Sequence, residues 1–352
     1  MWSSNALTER LNLKWPILQA PMGSASTPGL AAAVTNAGGL GGLGMWNRTA
    51  EQAARRIAGF RQQSGGSVNI NYPIWPDPRC APETTEAMRQ HLQSQYEVFG
   101  LGAVPEPRGE VSDVGPEHVA LLLDTKPEVV SFHFGLPEPE VVQALKAAGV
   151  FLMSSATTVR EARMLEAAGM DAVIAQGTEA GGHRATFTGV DISMQPGLFA
   201  LLPQIVDAVG VPVIAAGGVA DGRTAAAAFM LGASAVQLGT AFLLCEEADV
   251  RDAHRAALTQ ADDACTVVTD VISGRHCRYI RNELIDDLTR SGLQPLAVPA
   301  QQSLTQPLAG SRKADWTALT SGQSAALARQ TNAAELVDRL AEETTRRLRA
   351  FV

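Results

Sequence analysis

The run Ala175-Gln176-Gly177-Thr178-Glu179-Ala180-Gly181-Gly182-His183 sets an amide, an acid, paired glycines and an imidazole directly after the apolar stretch Asp171-Ala172-Val173-Ile174. An apolar strand needs none of these groups for packing. Open backbone beside a titratable ring suits a planar ligand held against a group that can take, give or stabilise a proton near neutrality. His183 is one of six histidines, and its position just past a strand end marks it as the candidate for chemistry. His133, within Ser131-Phe132-His133-Phe134-Gly135, can face a site or a helix layer. His91, His118, His254 and His276 have no such context.

Other apolar runs end in the same style. Gln19-Ala20-Pro21-Met22-Gly23-Ser24 brings a proline and a glycine past a strand end, where backbone can approach a flat ligand. Asn69 and Asn71 alternate along one face of Val68-Asn69-Ile70-Asn71-Tyr72, and buried amides there need partners, either a ligand or an internal network. Ala215-Ala216-Gly217-Gly218 leads into a helix start at Asp221-Gly222, and Gln237-Leu238-Gly239-Thr240 offers a further amide and a hydroxyl. Exposed N–H groups at such ends bind anions, and barrels often hold phosphate between the loops after strands seven and eight. Gly39-Leu40-Gly41-Gly42-Leu43-Gly44 matches G-x-G-x-x-G. Its glycines lie within a strand instead of opening a helix, and Glu51 comes too early for the dinucleotide fingerprint. No metal-ligand, nucleophile-elbow or P-loop motif is present, and no metal is expected.

The elements that must position these groups alternate. Strands are expected at Ile17–Met22, Gly39–Gly44, Ser67–Tyr72, Val129–Gly135, Phe151–Ser155, Ala172–Gly177, Val211–Gly218 and Ala235–Thr240. Helices are expected at Thr27–Ala37, Ala50–Gln63, Glu138–Ala148, Thr158–Ala168, Leu198–Val209 and Gly222–Leu231. Near-continuous apolar strands alternating with helices imply parallel βαβ units, and eight of them favour an α/β fold of the (β/α)8 TIM-barrel type. The proline-rich stretch 73–128 reads as an insertion after strand 3 with one helix near Pro82–Phe99. Residues 245–352 read as a C-terminal extension packed on the barrel, with helices at Ala248–Gln260 and Asn332–Phe351 and an irregular stretch near 265–315. The whole chain is expected to be a single domain.

With 46% hydrophobic residues over 352 positions, a large core is available. A net charge of −8 argues against a nucleic-acid or anionic-membrane surface. No apolar run is long enough to span a bilayer. The start, Met1-Trp2-Ser3-Ser4-Asn5-Ala6, lacks the pattern of a secretory signal. Cys80, Cys245, Cys265 and Cys277 are scattered, so a disulfide framework is not expected and the cytoplasm is the default location.

Assembled, the motifs resemble the nitronate monooxygenase family, formerly the 2-nitropropane dioxygenases. The carriers are Gln19-Ala20-Pro21-Met22-Gly23, Gln176 with Glu179-Ala180-Gly181-Gly182-His183, Ala215 to Gly222, and Gln237-Leu238-Gly239-Thr240. Ser273-Gly274-Arg275, Arg281-Asn282 and Ser321-Gly322-Gln323 are also similar to it. The resemblance implies an FMN-dependent, metal-free TIM barrel that oxidises alkyl nitronates, with neutral nitroalkanes left open as substrates that His183 would deprotonate, using O2 to give carbonyl compounds and nitrite through flavin reduction and a substrate radical. Carried over by motif, the flavin would touch Pro21, Met22, Gly23, Asn69, Gln176 and Gly181. Its phosphate would lie at Gly217, Gly218, Gln237, Leu238, Gly239 and Thr240, and His183 would be the catalytic histidine. The partners implied are a small-molecule nitronate and O2, with no nucleic acid or membrane and a homodimer left open. An NAD(P)H-dependent flavin reductase of the same barrel group, acting on enoyl thioesters or quinones, is the alternative. Arg184-Ala185-Thr186 follows His183 where many relatives have a further glycine, and Ala300 stands where a Tyr is frequent.

Overall fold

The computed structural model describes residues 2–75, 82–108, 114–311 and 314–350. In chain order its strands are β1 Ile17–Gln19, β2 Gly41–Gly44, β3 Val68–Pro73, β4 Val129–His133, β5 Phe151–Ala156, β6 Ala172–Gln176, β7 Gly182–His183, β8 Val213–Ala216, β9 Ala235–Leu238, β10 Thr266–Thr269 and β11 Cys277–Ile280. Eight of these form one parallel sheet in the order β1-β9-β8-β6-β5-β4-β3-β2. The sheet closes on itself. Leu18 bridges Leu40 in parallel, and the Gln19 and Leu40 amides donate to Leu40 O (2.9 Å) and Ile17 O (3.0 Å) across the seam. The expected α/β (β/α)8 TIM barrel is the fold.

Alternation along the strands sorts the two faces. Ile17, Val68, Ile70, Phe132, Leu152, Val173, Val213 and Val236 pack outward in the main core with the surrounding helices. Leu18, Val129, Phe151, Met153, Ala172, Ile174, Ile214 and Ala235 fill the barrel, together with Leu7 and Leu11. Those two leucines belong to a helix the sequence reading did not expect, Ala6–Leu11, started by a capping box between Asn5 and Thr8. It joins the apolar interior cluster. At the carboxyl ends of the strands the inward positions turn polar: Asn71, His133, Ser155, Gln176 and Gln237.

The six expected ring helices are present as Pro28–Asn36, Ala50–Arg61, Pro139–Ala147, Val159–Ala167, Leu198–Val206 and Gly222–Met230. Two more complete the ring from unexpected places. Within the stretch read as an insertion with one helix there are two, Pro82–Val98 and Pro116–Thr125. The second packs between Ala50–Arg61 and Pro139–Ala147 and so is a barrel helix. Residues 76–81 and 109–113 of that stretch, with Pro76, Pro78 and Cys80, lie outside the described residues. After β9 comes only the short helix Thr240–Leu243. The eighth ring position is taken by Ala333–Arg349, which packs on Gly222–Met230 and Pro28–Asn36. Gly222 permits that crossing, since an added Cβ would lie 2.2 Å from Glu343 Cβ, and its amide donates to Glu343 Oε2 at 3.0 Å.

The stretch near 265–315 is more regular than its sequence suggests. It holds β10, β11 and the helices Glu283–Ser291 and Ala300–Thr305. β11 pairs antiparallel with β10 on one side and with β7 on the other. A second core joins Met88, Leu92 and Tyr96 of helix Pro82–Val98 to Leu284, Ile285, Leu288, Leu304 and Leu308. The Tyr96 hydroxyl donates to Leu304 O at 2.7 Å. Thus the two long excursions from the barrel pack on each other. Among the described residues no helix is long and apolar enough to cross a membrane.

Candidate active site

A cavity of about 670 Å³ opens at the carboxyl ends of the barrel strands. The loop between β6 and β7 forms one wall, and the carbonyls of Gln176, Gly177, Thr178 and Glu179 at its start are held. Arg184, with no exposed surface, donates from Nη2 to Gln176 O (2.9 Å), from Nη1 to Gly177 O (2.7 Å) and from Nε to Gln195 Oε1 (2.9 Å). Arg278 on β11 forks onto Thr178 O from Nε (3.0 Å) and Nη2 (2.8 Å). The Gln323 amide takes Glu179 O at 3.0 Å. The Glu179 carboxylate accepts the Leu198 amide at 2.8 and 2.9 Å, at the start of helix Leu198–Val206, where the helix dipole favours an anion. Glu179 is therefore a structural acid. Gly181 is required sterically, since a Cβ there would meet Gly322 N at 2.5 Å.

His183 follows on β7, in register with Cys277 of β11. Its carbonyl accepts from Gln176 Nε2 (3.0 Å) and meets His133 Nε2 (3.2 Å). Its ring stacks on Trp46, with centroids 5.0 Å apart and planes 24° apart, and meets the Phe134 ring edge-on at 5.8 Å. Nε2 lies 2.9 Å from Ser273 Oγ. Burial, then the nearby Arg275 cation and His133, press the His183 pKa down to about 3. Burial does the same for His133, to about 4, with Arg275 and Arg184 adding to it against the bond to His183 O. A ring so desolvated beside a cation is neutral at ordinary pH.

Pro21, Met22, Gly23, Gln176, Gly181, Gly217, Gly218, Gln237, Gly239, Thr240 and His183 all line this cavity. Asn69 and Leu238 do not. Asn71, one pair further along the strand, reaches the cavity and donates from Nδ2 to Ser131 Oγ at 2.9 Å. Asn69 is buried, with its Oδ1 unpartnered. The Leu238 side chain packs in the outer core, and its carbonyl accepts from Ala20 N at 2.8 Å. Gln176 has both ends of its amide engaged, since Oε1 accepts from Ala185 N at 2.9 Å. Sequence reading missed Trp46 and Phe134 as wall residues. Their signal, bulky aromatics just past the ends of strands two and four, was available.

A buried carboxylate ties the segment that follows β7. Glu161, with no exposed surface, accepts Thr157 N and Oγ1 on Oε2, and Thr186 Oγ1, Phe187 N and Thr188 Oγ1 on Oε1, all at 2.7–3.0 Å. Burial alone would raise its pKa, but these donors outweigh it and hold the carboxyl below its ordinary range. A depressed folded pKa adds stability above the unfolded value of about 4.3 that is lost as pH falls through the folded value. Glu161→Gln is thus expected to lose about 2 kcal/mol or more at pH 7. The gap from wild type should narrow in urea denaturation at acid pH. An equal gap at both pH values would show that the charge is immaterial.

The family model described as nitronate monooxygenase matches residues 4–343. The nitronate monooxygenase of Pseudomonas aeruginosa is 38% identical over 351 residues, spanning 97% of this chain and 99% of that protein. That of Paraburkholderia phytofirmans is 40% identical over 349 residues, spanning 96% and 94%. Among solved structures, a nitroalkane oxidase from Streptomyces ansochromogenes superposes with a TM-score of 0.91 at 38% identity, covering 99% of this chain and 100% of that one. FabK from Thermotoga maritima superposes at 0.77 with 28% identity, covering 99% of each. With a closed barrel, an imidazole on the loop after its sixth strand and a family match along nearly its whole length, this chain belongs to the nitronate monooxygenase family.

Proposed function

We propose that the chain is an FMN-dependent nitronate monooxygenase that converts nitronate anions and O2 into carbonyl compounds and nitrite. The observation that carries this reading is a desolvated, neutral imidazole on the wall of a cavity ringed by glycine-bearing strand ends. The residues present suit FMN. Gly217 and Gly218 line the cavity with φ of +106° and +71°, a backbone conformation that only glycine adopts readily. The Thr240 hydroxyl accepts the Gly322 amide at 2.9 Å and keeps its own proton to give to a phosphate. Gln237 Oε1 is buried and unpartnered, and a flavin edge carries both donors and acceptors.

On this reading Gly217, Gly218, Gly239 and Thr240 hold the phosphate end, Gln237 meets the flavin edge, and Pro21, Met22, Gly23 and Gly181 flank the flavin. Asn71 takes the role carried over to Asn69. Leu238 contributes backbone only, and Gln176 orients the loop. When bound, FMN supplies electron acceptance from the substrate carbon and reaction with O2.

The protein's part is orientation and electrostatics. A ring with a pKa near 3 is a poor base for drawing a proton from a neutral nitroalkane. It is well suited to giving a hydrogen bond to an oxygen that is already anionic. This favours the nitronate anion as the substrate, and Arg275 adds a favourable charge near the ring. The test is spectral. Purified protein should show flavin absorption and bleach under anaerobic conditions with an alkyl nitronate. Bleaching by NAD(P)H and not by nitronate would favour the reductase reading, and a colourless protein that takes up no FMN would overturn both.

A further inference from the structure

We infer that Ser273 is a positioning residue that keeps the hydrogen of neutral His183 on Nε2, so the imidazole meets the substrate as a donor and not as a lone pair. Ser273 lies between β10 and β11, nearly fully buried yet lining the same cavity as His183. Its Oγ is 2.9 Å from Arg275 O and 2.9 Å from His183 Nε2. The Arg275 carbonyl can only accept, so in that bond the serine is the donor. The oxygen is then left to accept from the ring, and that requires the hydrogen to be on Nε2. The Arg275 amide, 3.4 Å away, adds a weak donor to the same oxygen. The Tyr279 hydroxyl is its other polar neighbour.

The charged groups facing the ring agree with this assignment. Arg275 and His133 both oppose a second ring proton, so the choice lies between two neutral tautomers. Arg275 is itself fixed: its guanidinium carbon stands 4.2 Å over the Phe134 ring and Nη2 donates to Thr186 O. With the Nδ1–H tautomer, Nε2 would turn a lone pair toward Ser273 and toward any anion at that edge. The resting arrangement instead points the Nε2 hydrogen at Ser273 Oγ, and a nitronate oxygen can replace Ser273 as the acceptor while the hydrogen stays on the ring.

This inference rests on the proposed activity for its consequence, but not for its readout. In two-bond ¹H–¹⁵N spectra of the flavin-loaded protein, wild-type His183 should show a protonated Nε2 and a bare Nδ1. Ser273→Ala should give averaged nitrogen shifts and lower kcat/KM for an alkyl nitronate about tenfold, the worth of one hydrogen bond. Ser273→Thr, which keeps the hydroxyl, should restore both. A wild-type ring protonated at Nδ1, or a Ser273→Ala protein with unchanged tautomer and unchanged kcat/KM, would overturn the inference. If nitronate fails to reduce wild-type protein, the activity reading fails while the tautomer result still stands or falls alone. Should Ser273→Ala fold poorly, Ser273→Cys gives the same comparison with a weaker donor and acceptor.

Discussion

His183→Asn is expected to bind FMN with an unchanged absorption spectrum and to turn over an alkyl nitronate about a hundredfold more slowly, or worse. The backbone of residue 183, which Gln176 and His133 hold through its carbonyl, is untouched by the change. The pairing of β7 with β11 is equally independent of the side chain. What disappears is a neutral donor in a desolvated wall between Trp46 and Phe134. Removing one preorganised donor from such a site typically costs about 10²–10³ in rate. The asparagine amide is shorter than the ring and cannot stack on Trp46 in the same way. Near-normal turnover in stopped-flow flavin reduction would remove His183 from the mechanism. Lost flavin would instead make it a binding residue.

Arg184→Met is expected to destabilise the protein by at least about 3 kcal/mol. Arg184 donates to three buried acceptors at 2.7–2.9 Å, two of them carbonyls at the carboxyl end of β6. Methionine fills much of the volume but offers no donor. Gly177 O keeps the Ala180 amide at 3.2 Å, but Gln176 O and Gln195 Oε1 are orphaned, each at a cost of about 1–3 kcal/mol when buried. Burial and the Arg278 charge already depress the guanidinium pKa to about 10, against the pull of Glu179, Glu161 and Cys277. The group is therefore retained for its hydrogen bonds despite a desolvation cost. Arg184→Lys keeps the charge but lacks the planar fork, and should recover only part of the loss. The urea midpoint at pH 7 decides the matter. A shift equivalent to under about 0.5 kcal/mol, the size of an ordinary surface change, would show that water replaces the guanidinium.

Arg184 also shows how much of the site could be read from the chain alone. In sequence it is a charged residue that departs from the expected motif. In the structure it has no exposed surface and ties down the loop that carries His183. Nothing in local pattern announces a buried arginine, because two of its three partners are backbone carbonyls, which every residue has. The barrel strands were legible for the opposite reason: buried parallel strands are apolar throughout, and their ends stand out against that background. Asn69 and Asn71 mark the limit of periodicity. Alternation places both on the inner face, but which one reaches the cavity depends on the stagger of the closed sheet. β7 is two residues long, too short for any period to register. Helix Pro116–Thr125 was hidden in a proline-rich stretch, although Pro116 itself is a good first residue for a helix.

The ring helix supplied by Ala333–Arg349 bears on how the molecule is made. Synthesis runs from the N-terminus, and domains fold as their parts emerge. Every barrel strand leaves the ribosome before the segment whose Leu336, Val337 and Leu340 cover the seam between helices Gly222–Met230 and Pro28–Asn36. Until then the nascent chain carries an open apolar groove beside its first and seventh barrel helices. β10 and β11, which back His183, also emerge late. A chain stalled or cut near residue 330 would thus hold all eight barrel strands and yet present a sticky flank, a ready target for chaperones and proteases. The helix that completes the ring is thus made after every barrel strand, and it is the one that pins the first ring helix, Pro28–Asn36, in place.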